Sequence, residues 1–410
     1  MGELLRMKRK SRMIAVLLSA MMLVSACQSA PQETEEEKKI KEEQNVEKEE
    51  KEYQGKLNLI EPAAYNNVDG LNLEKGSYIS IIGKAKGSAY WDEVEKGVLQ
   101  AVADINANLG YEGKDKVKAS YNAPEVADDV DEQVNILDEE LDIDRSPIAV
   151  GISIADAKAC EVQFDMAADN DIPIVAFDSG SDYQGVMATV STDNEAAARE
   201  AAVKLAEAVG DEGEVVLFVQ DSKSMAALAR ERVFTEEIQT NHPNMSVVSV
   251  YHMDQLGEMQ QTIAAEINAG TYQLEADTTE NTAAQEEVSP EEITEDDVVD
   301  YIFAKNPDIR GCFAANGDAL FLALDGLERN EMSDQVQVVG FDVSKEEVEV
   351  LSDGKVVGLI AQNPFGMGYA TVVAAARAAL DMGNEAMVNT GYTWVTSEGL
   401  EDIEIQKILY

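Results

Sequence analysis

Residues Val338–Val372 read VVGFDVSKEEVEVLSDGKVVGLIAQNPFGMGYATV. An apolar run ends in Gly340-Phe341-Asp342, a charged helical stretch follows, and a second apolar run ends in Gln362-Asn363-Pro364. Continuously apolar strands separated by a helix are strands buried on both faces, which means a parallel sheet covered by helices. Each strand delivers a polar side chain at its C-terminal end, and ligands bind at that end of the strands in open α/β sheets.

The same beat runs along most of the chain. SYISIIG, VKASYNA, PIAVGIS and IPIVAFDSG are β-branched, apolar strand signals. Helical patterns alternate with them. In AYWDEVEKGVLQAVADINANLG, residues Trp91, Val94, Val98, Ala101, Val102 and Ile105 recur at helical spacing and Gly110 ends the run. The alternation starts again with GEVVLFVQ, MSVVSVYHM, GCFAAN and VQVVGFD. These are too many strands for one simple sheet, so the chain is read as α/β with two similar lobes, each a parallel sheet sandwiched by helices. Lobe 1 is expected over 76–191 plus 363–392, and lobe 2 over 192–362 plus 393–410. One acidic, apolar-poor segment at about 273–297 interrupts the pattern and reads as an exposed insertion.

The N-terminus reads differently. A basic stretch, MKRKSR, precedes the short apolar run MIAVLLSAMMLV, and Val24-Ser25-Ala26-Cys27 then resembles a bacterial lipobox. Residues 1–26 are therefore expected to be a lipoprotein signal peptide and Cys27 the lipidated residue. Residues 27–75 are expected to form a disordered acidic tether, with the folded body beginning near Gly76.

The composition excludes whole classes of function. The 410 residues carry 79 acidic against 32 basic side chains, a net charge of −47, which argues against nucleic acid and against electrostatic attachment to anionic lipid. Three cysteines, Cys27, Cys160 and Cys312, make no disulfide framework, and the last two read as buried free thiols. The only histidines, His242 and His252, have no Cys or Asp partner at metal or triad spacing. Neither a Gly-x-x-x-x-Gly-Lys loop nor a Gly-x-Gly-x-x-Gly after a strand is present. No metal, cofactor or catalytic residue is expected.

Polar and aromatic residues just past the apolar runs are the candidate site. They are Tyr90 and Trp91 after the first strand, Asp178 after IPIVAF, Asp221 and Ser222 after GEVVLFVQ, and Arg230 in the following helix. Asn316 follows GCFAA, Asp342 follows VQVVGF and Gln362 follows VVGLIA. Carboxylates accept from hydroxyls, a guanidinium donates paired bonds, and aromatic rings cover the C–H face of a sugar. That inventory suits a neutral ligand with many hydroxyls. Taken singly, any of these residues is also an ordinary turn or helix-cap residue.

The stretches AYWDEVEKGVLQAV, IPIVAFDSG, ARERVF, FAANGDAL, VVGFD and DGKVVGLIAQNPFGMGYATV together resemble a type I periplasmic binding protein. Within that group the chain is most similar to the ribose/galactose-type sugar-binding components of ABC transporters. The resemblance implies two lobes joined by a three-segment hinge, with ligand enclosed between them. It implies that Tyr90 and Trp91 sandwich a sugar, and that Asp178, Arg230, Asn316, Asp342 and Gln362 hold its hydroxyls. It further implies a monomer that serves the permease subunits of a transporter from the outer face of the cell membrane. Val233 stands where the family has glycine, and Ser179 where ribose binders often have a second arginine. Alternatives are the same fold binding a nucleoside, an inositol or a furanosyl signal molecule. A glycoside hydrolase using Asp178 and Asp342 as its carboxylate pair is a remote reading, disfavoured because Arg230 and the two amides would hold both acids ionised. A transcriptional regulator is excluded by the signal and by the lack of a helix-turn-helix with a basic face.

Overall fold

The computed structural model describes residues 53–127, 129–142, 144–274 and 287–410. The signal segment, Cys27, the acidic stretch as far as Glu52 and residues 275–286 of the insertion lie outside the described residues.

Among the described residues, twelve strands form two six-stranded sheets. The first sheet is built from β1 (Tyr78–Ile82), β2 (Lys118–Asn122), β3 (Ala149–Ile152), β4 (Ile174–Phe177), β5 (Val186–Ser191) and β11 (Met387–Asn389), in the order β11-β5-β4-β3-β1-β2. The second uses β6 (Gly213–Val219), β7 (Met245–His252), β8 (Ile309–Ala314), β9 (Gln337–Phe341), β10 (Gly358–Gln362) and β12 (Tyr392–Val395), in the order β12-β10-β9-β8-β6-β7. In each sheet the first strand lies inside the second, and the connections reverse direction beside it. This is the doubly wound topology, with a crevice at each point of reversal. All pairs are parallel except β10 with the edge strand β12. Strands β5, β11 and β12 fall outside the strand pattern read from the sequence.

Helices cover both faces of each sheet. In lobe 1 they are α2 (Ala89–Leu109), α3 (Val130–Glu140), α4 (Glu161–Asp169) and α11 (Pro364–Ala379); α1 (Gln54–Asn58) precedes them. In lobe 2 they are α5 (Asn194–Val209), α6 (Met225–Asn241), α7 (Leu256–Asn268), α8 (Glu295–Lys305), α9 (Gly317–Arg329) and α10 (Lys345–Ser352), followed by α12 (Ile403–Gln406). Helices α2 and α11 cross at two glycines. A Cβ on Gly97 would lie 2.0 Å from the Phe365 carbonyl oxygen, and one on Gly368 would lie 2.0 Å from that of Val94. The bare backbones let the helices touch, and α11 is almost wholly buried.

The chain crosses between the sheets three times, between β5 and α5, between β10 and α11, and between β11 and β12. The crossings are tied together. Thr192 Oγ1 donates to Gln362 Oε1 (2.9 Å), and Asn363 Nδ2 donates to the Thr390 carbonyl (2.8 Å).

Residues 53–75 correct the expected tether. Leu57, Ile60, Tyr65, Val68, Leu71 and Leu73 are buried in the lobe 1 core, Glu61 pairs antiparallel with Asn389, and Leu59 packs against the lobe 2 core. Asn363 Nδ2 also donates to the Lys56 carbonyl (2.8 Å), fastening this arm to the hinge. The arm's apolar residues are set among Asn, Pro and Gly without helical or strand period, so its neighbours' charges dominate a sequence reading. Burial of each large apolar side chain is worth about 1.5–3 kcal/mol, which is what holds an irregular segment down.

The insertion is also shorter than expected. Thr294 and Asp297 form a capping box that starts α8, and Ile293 is buried beneath it. The acidic first turn of α8 read as insertion because side chains favourable at a helix N-terminus are the same ones that fill exposed loops.

Candidate functional site

Asp178 and Asp342 occupy the same place in the two lobes, directly after β4 and β9. Both have left-handed backbone, φ 55° and 76°. Each N–H still extends its sheet, Asp178 to the Val190 carbonyl and Asp342 to that of Ile360 (both 2.9 Å). The reversal of φ turns the side chain out of the strand line, and aspartate tolerates that backbone better than larger residues do. Asn316 caps α9 by accepting from the Ala319 N–H (3.0 Å), which leaves its amide N–H groups uncommitted. Tyr90 and Trp91 lie in the first turn of α2, whose cap Ser88 accepts from the Trp91 N–H.

A cavity of about 470 Å3 opens between the lobes, within the range of small-molecule sites. All seven expected residues, Tyr90, Trp91, Asp178, Arg230, Asn316, Asp342 and Gln362, line it. Asp221 and Ser222 do not. Asp221 accepts from Ser224 and Lys223 at the start of α6, and Ser222 donates to Asp254. The turn-residue reading holds for these two.

On the lobe 1 side, Asp178 is held by Tyr90 Oη at Oδ1 (2.9 Å) and by Ser153 Oγ at Oδ2 (2.8 Å). Burial, with Asp178 and Asp342 nearby, pushes the Tyr90 phenol well above its ordinary range, so it donates at all physiological pH. The rings of Tyr90 and Trp91 are nearly perpendicular, 86° with centroids 5.1 Å apart. They form a corner and not the expected sandwich, because neighbours in one helical turn cannot face each other across a ring.

On the lobe 2 side, Arg230 is clamped. Its guanidinium lies over the Phe341 ring at 4.1 Å. Nε donates to Asn194 Oδ1 (2.8 Å), Nη1 to the Ala315 carbonyl (2.6 Å) and Nη2 to Gln362 Oε1 (2.7 Å). With five N–H groups in the fork, two remain. Arg230 does not bond either carboxylate directly, which corrects the expected pairing. Gln362 stands between, its Nε2 donating to Asp342 Oδ1 (2.7 Å). Asp342 Oδ2 accepts the Gly317 N–H (3.1 Å). Burial raises the Asp342 carboxyl against the pull of Arg230.

Lys84, Glu347 and Tyr410 also line the cavity and are not among the expected residues. Lys84 lies two residues past β1, only 6 % exposed, with Nζ 3.8 Å from Asp178 Oδ2 and 4.0 Å from Asp221 Oδ2. Both contacts are ion pairs longer than a hydrogen bond, and the second crosses from lobe 1 to lobe 2. Like Asp178, it stands just past a strand end, the position at which side chains face the cleft. Glu347, on the first turn of α10, is buried against Asp342 and pushed up to about 7 by burial and by that charge. Tyr410 follows α12 and has no sequence signal at all. Among the described residues no group of three or more His, Cys, Asp or Glu side chains is arranged to hold a metal ion.

The arrangement offers hydroxyl acceptors at Asp178 and Asp342, donors at Lys84, Arg230 and Asn316, and aromatic surface at Tyr90 and Trp91. Asp178, Arg230, Asp342 and Gln362 are each held by a neighbour before any ligand enters, the preorganisation that lowers the cost of binding.

The sequence matches the family model of the periplasmic binding protein domain over residues 79–288 and 280–385. Similar solved structures include a carbohydrate transporter solute binding protein from Agrobacterium radiobacter in complex with D-arabinose. It shares 26 % identity at a TM-score of 0.65, covering 82 % of this chain and 99 % of that one. An ABC transporter solute binding protein from Agrobacterium vitis with bound D-fucose shares 20 % identity at a TM-score of 0.65, covering 82 % and 100 %. One from Burkholderia graminis in complex with D-arabinose shares 20 % identity at a TM-score of 0.63, covering 81 % and 99 %. Among curated proteins nothing matches.

Proposed function

This chain belongs to the periplasmic binding protein family, and on that premise we propose that it is an extracytoplasmic receptor that encloses a monosaccharide between its lobes. The receptor is anchored to the outer face of the bacterial membrane through lipidated Cys27. It delivers its sugar to the permease subunits of an ABC transporter, acting as a monomer and without a catalytic step.

One observation carries the reading. The cavity draws its lining from both lobes and mixes buried carboxylates, a buried ammonium and a guanidinium with an aromatic corner. An anionic ligand would meet Asp178, Asp342 and Glu347, whereas a purely apolar one would leave the two remaining Arg230 N–H groups and the Asn316 amide without acceptors. A neutral polyol satisfies both sets, since each hydroxyl donates once and accepts twice. The roles follow from the geometry. Asp178 and the open side of Asp342 accept from hydroxyls, Lys84 and the two remaining Arg230 N–H groups donate to hydroxyl or ring oxygens, and Tyr90 or Trp91 covers a C–H face. Gln362 serves as the brace that joins hinge, guanidinium and Asp342. Closure of the lobes about the three crossings shields the sugar from water.

The test is a thermal-shift and calorimetric panel of pentoses, hexoses, 6-deoxyhexoses, inositols and nucleosides on the mature protein. At a hundredfold excess over its dissociation constant, a bound sugar adds about 2.7 kcal/mol of stability. Asp178→Asn should remove most of that response. A panel in which only nucleosides or inositols respond would overturn the monosaccharide reading. Metabolic labelling with a fatty-acid probe, lost in Cys27→Ser, tests the anchor.

A further inference from the structure

Tyr410 is a cavity residue that neither strand ends nor helix caps explain. It lies beyond α12 and returns to the site by donating its N–H to the Val343 carbonyl (3.4 Å). Its hydroxyl donates to Asp342 Oδ1 (3.2 Å). Its ring stands edge-on to Tyr90 of the opposite lobe, centroids 6.3 Å apart and planes at 69°. A lobe 2 residue thus meets a lobe 1 aromatic across the cleft and walls off the cavity where Asp342 lies.

Counting acceptors shows what this does to Asp342. A carboxylate offers about four lone-pair sites. Oδ1 takes Gln362 Nε2 and Tyr410 Oη, and Oδ2 takes the Gly317 N–H. One site is left. The Tyr410 phenol therefore sits where a second ligand hydroxyl on Asp342 would sit, and its ring fills the space beyond. Burial and the charge of Asp342 push that phenol well above its ordinary range, so it remains a donor.

Resting on the sugar-receptor reading, we propose that Tyr410 is a specificity-determining residue that closes the Asp342 corner to a further hydroxymethyl group. The site then favours five-carbon and 6-deoxy sugars over hexoses of the same ring stereochemistry. A structural anchor for the segment after α12 would lower stability when removed but would leave ligand ratios alone.

Two series that grow at one carbon test this by calorimetry on the mature protein: L-arabinose, D-fucose, D-galactose; and D-xylose, 6-deoxy-D-glucose, D-glucose. In the series that binds, the parent protein should prefer the pentose or 6-deoxy sugar over the hexose by on the order of ten-fold, the discrimination a single group commands in a closed pocket. Tyr410→Ala should bring the hexose within about three-fold of the others by strengthening the hexose. Tyr410→Phe keeps the ring in place should Tyr410→Ala fold poorly, and it frees the Oδ1 site. It should strengthen the hexose less, yet measurably. A parent protein that binds hexoses as tightly as pentoses overturns the inference, as do ratios unchanged in both variants. Silence from every sugar overturns the receptor reading itself, an outcome distinct from binding with unaltered ratios.

Discussion

Replacing Glu347 by glutamine should make the protein's stability less dependent on pH in one defined window. The Glu347 side chain is buried in the cavity wall, 6 % exposed, with its carboxylate shared with Ser344 and facing Asp342. Burial first, then the charge of Asp342, pushes its carboxyl from 4.5 up to about 7. Each pH unit of such a shift is worth about 1.36 kcal/mol, so a rise from 4.5 to about 7 corresponds to roughly 3 kcal/mol. The sign follows from linkage. Between those two values the folded protein holds a proton that the unfolded chain has lost, so stability falls as pH rises through the window and is level above it. Below about 4.5 both states are protonated and the effect vanishes. Asp318 and Asp342 are also raised by burial, but comparison of Glu347→Gln with the parent cancels them to first order. Urea unfolding at pH 4.5, 6 and 7.5 measures the difference. The variant's stability relative to the parent should climb by about 3 kcal/mol from the lowest pH to the highest, nearly all of it by pH 7.5. A relative stability that stays flat across the series would show that the carboxyl titrates normally, and the account of the cavity wall would fail with it.

Gly368→Ala places a Cβ 2.0 Å from the Val94 carbonyl oxygen and 3.1 Å from the Val98 nitrogen. The α2–α11 crossing must spread, at a cost of about 3 kcal/mol, and calorimetric melting should show it; an unshifted midpoint would mean the crossing is slack. Ile60→Ala should cost about 2–5 kcal/mol, as a large-to-small change in a core does, because the arm belongs to the lobe 1 core. If residues 53–75 were a tether, the same change would leave the melting curve alone. Arg230→Lys should both lower the ligand-free melting point and weaken sugar binding by more than ten-fold. A lysine cannot reproduce the three directed bonds or the stack on Phe341; retention of either property would remove Arg230 from the clamp.

Much of the architecture is legible in the sequence, for a physical reason. A parallel strand covered on both faces must be apolar throughout, so its C-terminal end is where polarity resumes, and doubly wound topology brings those ends to one crevice. Asp178, Asn316, Asp342 and Gln362 are found by that rule, and Arg230 by its place in the helix that follows a strand. Their contacts are another matter. The bond of Arg230 to Gln362 spans 132 positions, and that of Tyr410 to Asp342 spans 68. Nothing local encodes either.

What the sequence determined by itself was therefore the alternation of strand and helix, the doubling into two lobes and the positions where side chains face a cleft. Tertiary structure alone decided that Arg230 meets Gln362 in place of an acid, that Lys84 reaches Asp221 of the opposite lobe, that Tyr410 completes the wall, and that the irregular arm from Tyr53 belongs to the core. Periodicity reports which face of an element is buried; the partner waiting there is set by packing between segments that are remote in the chain.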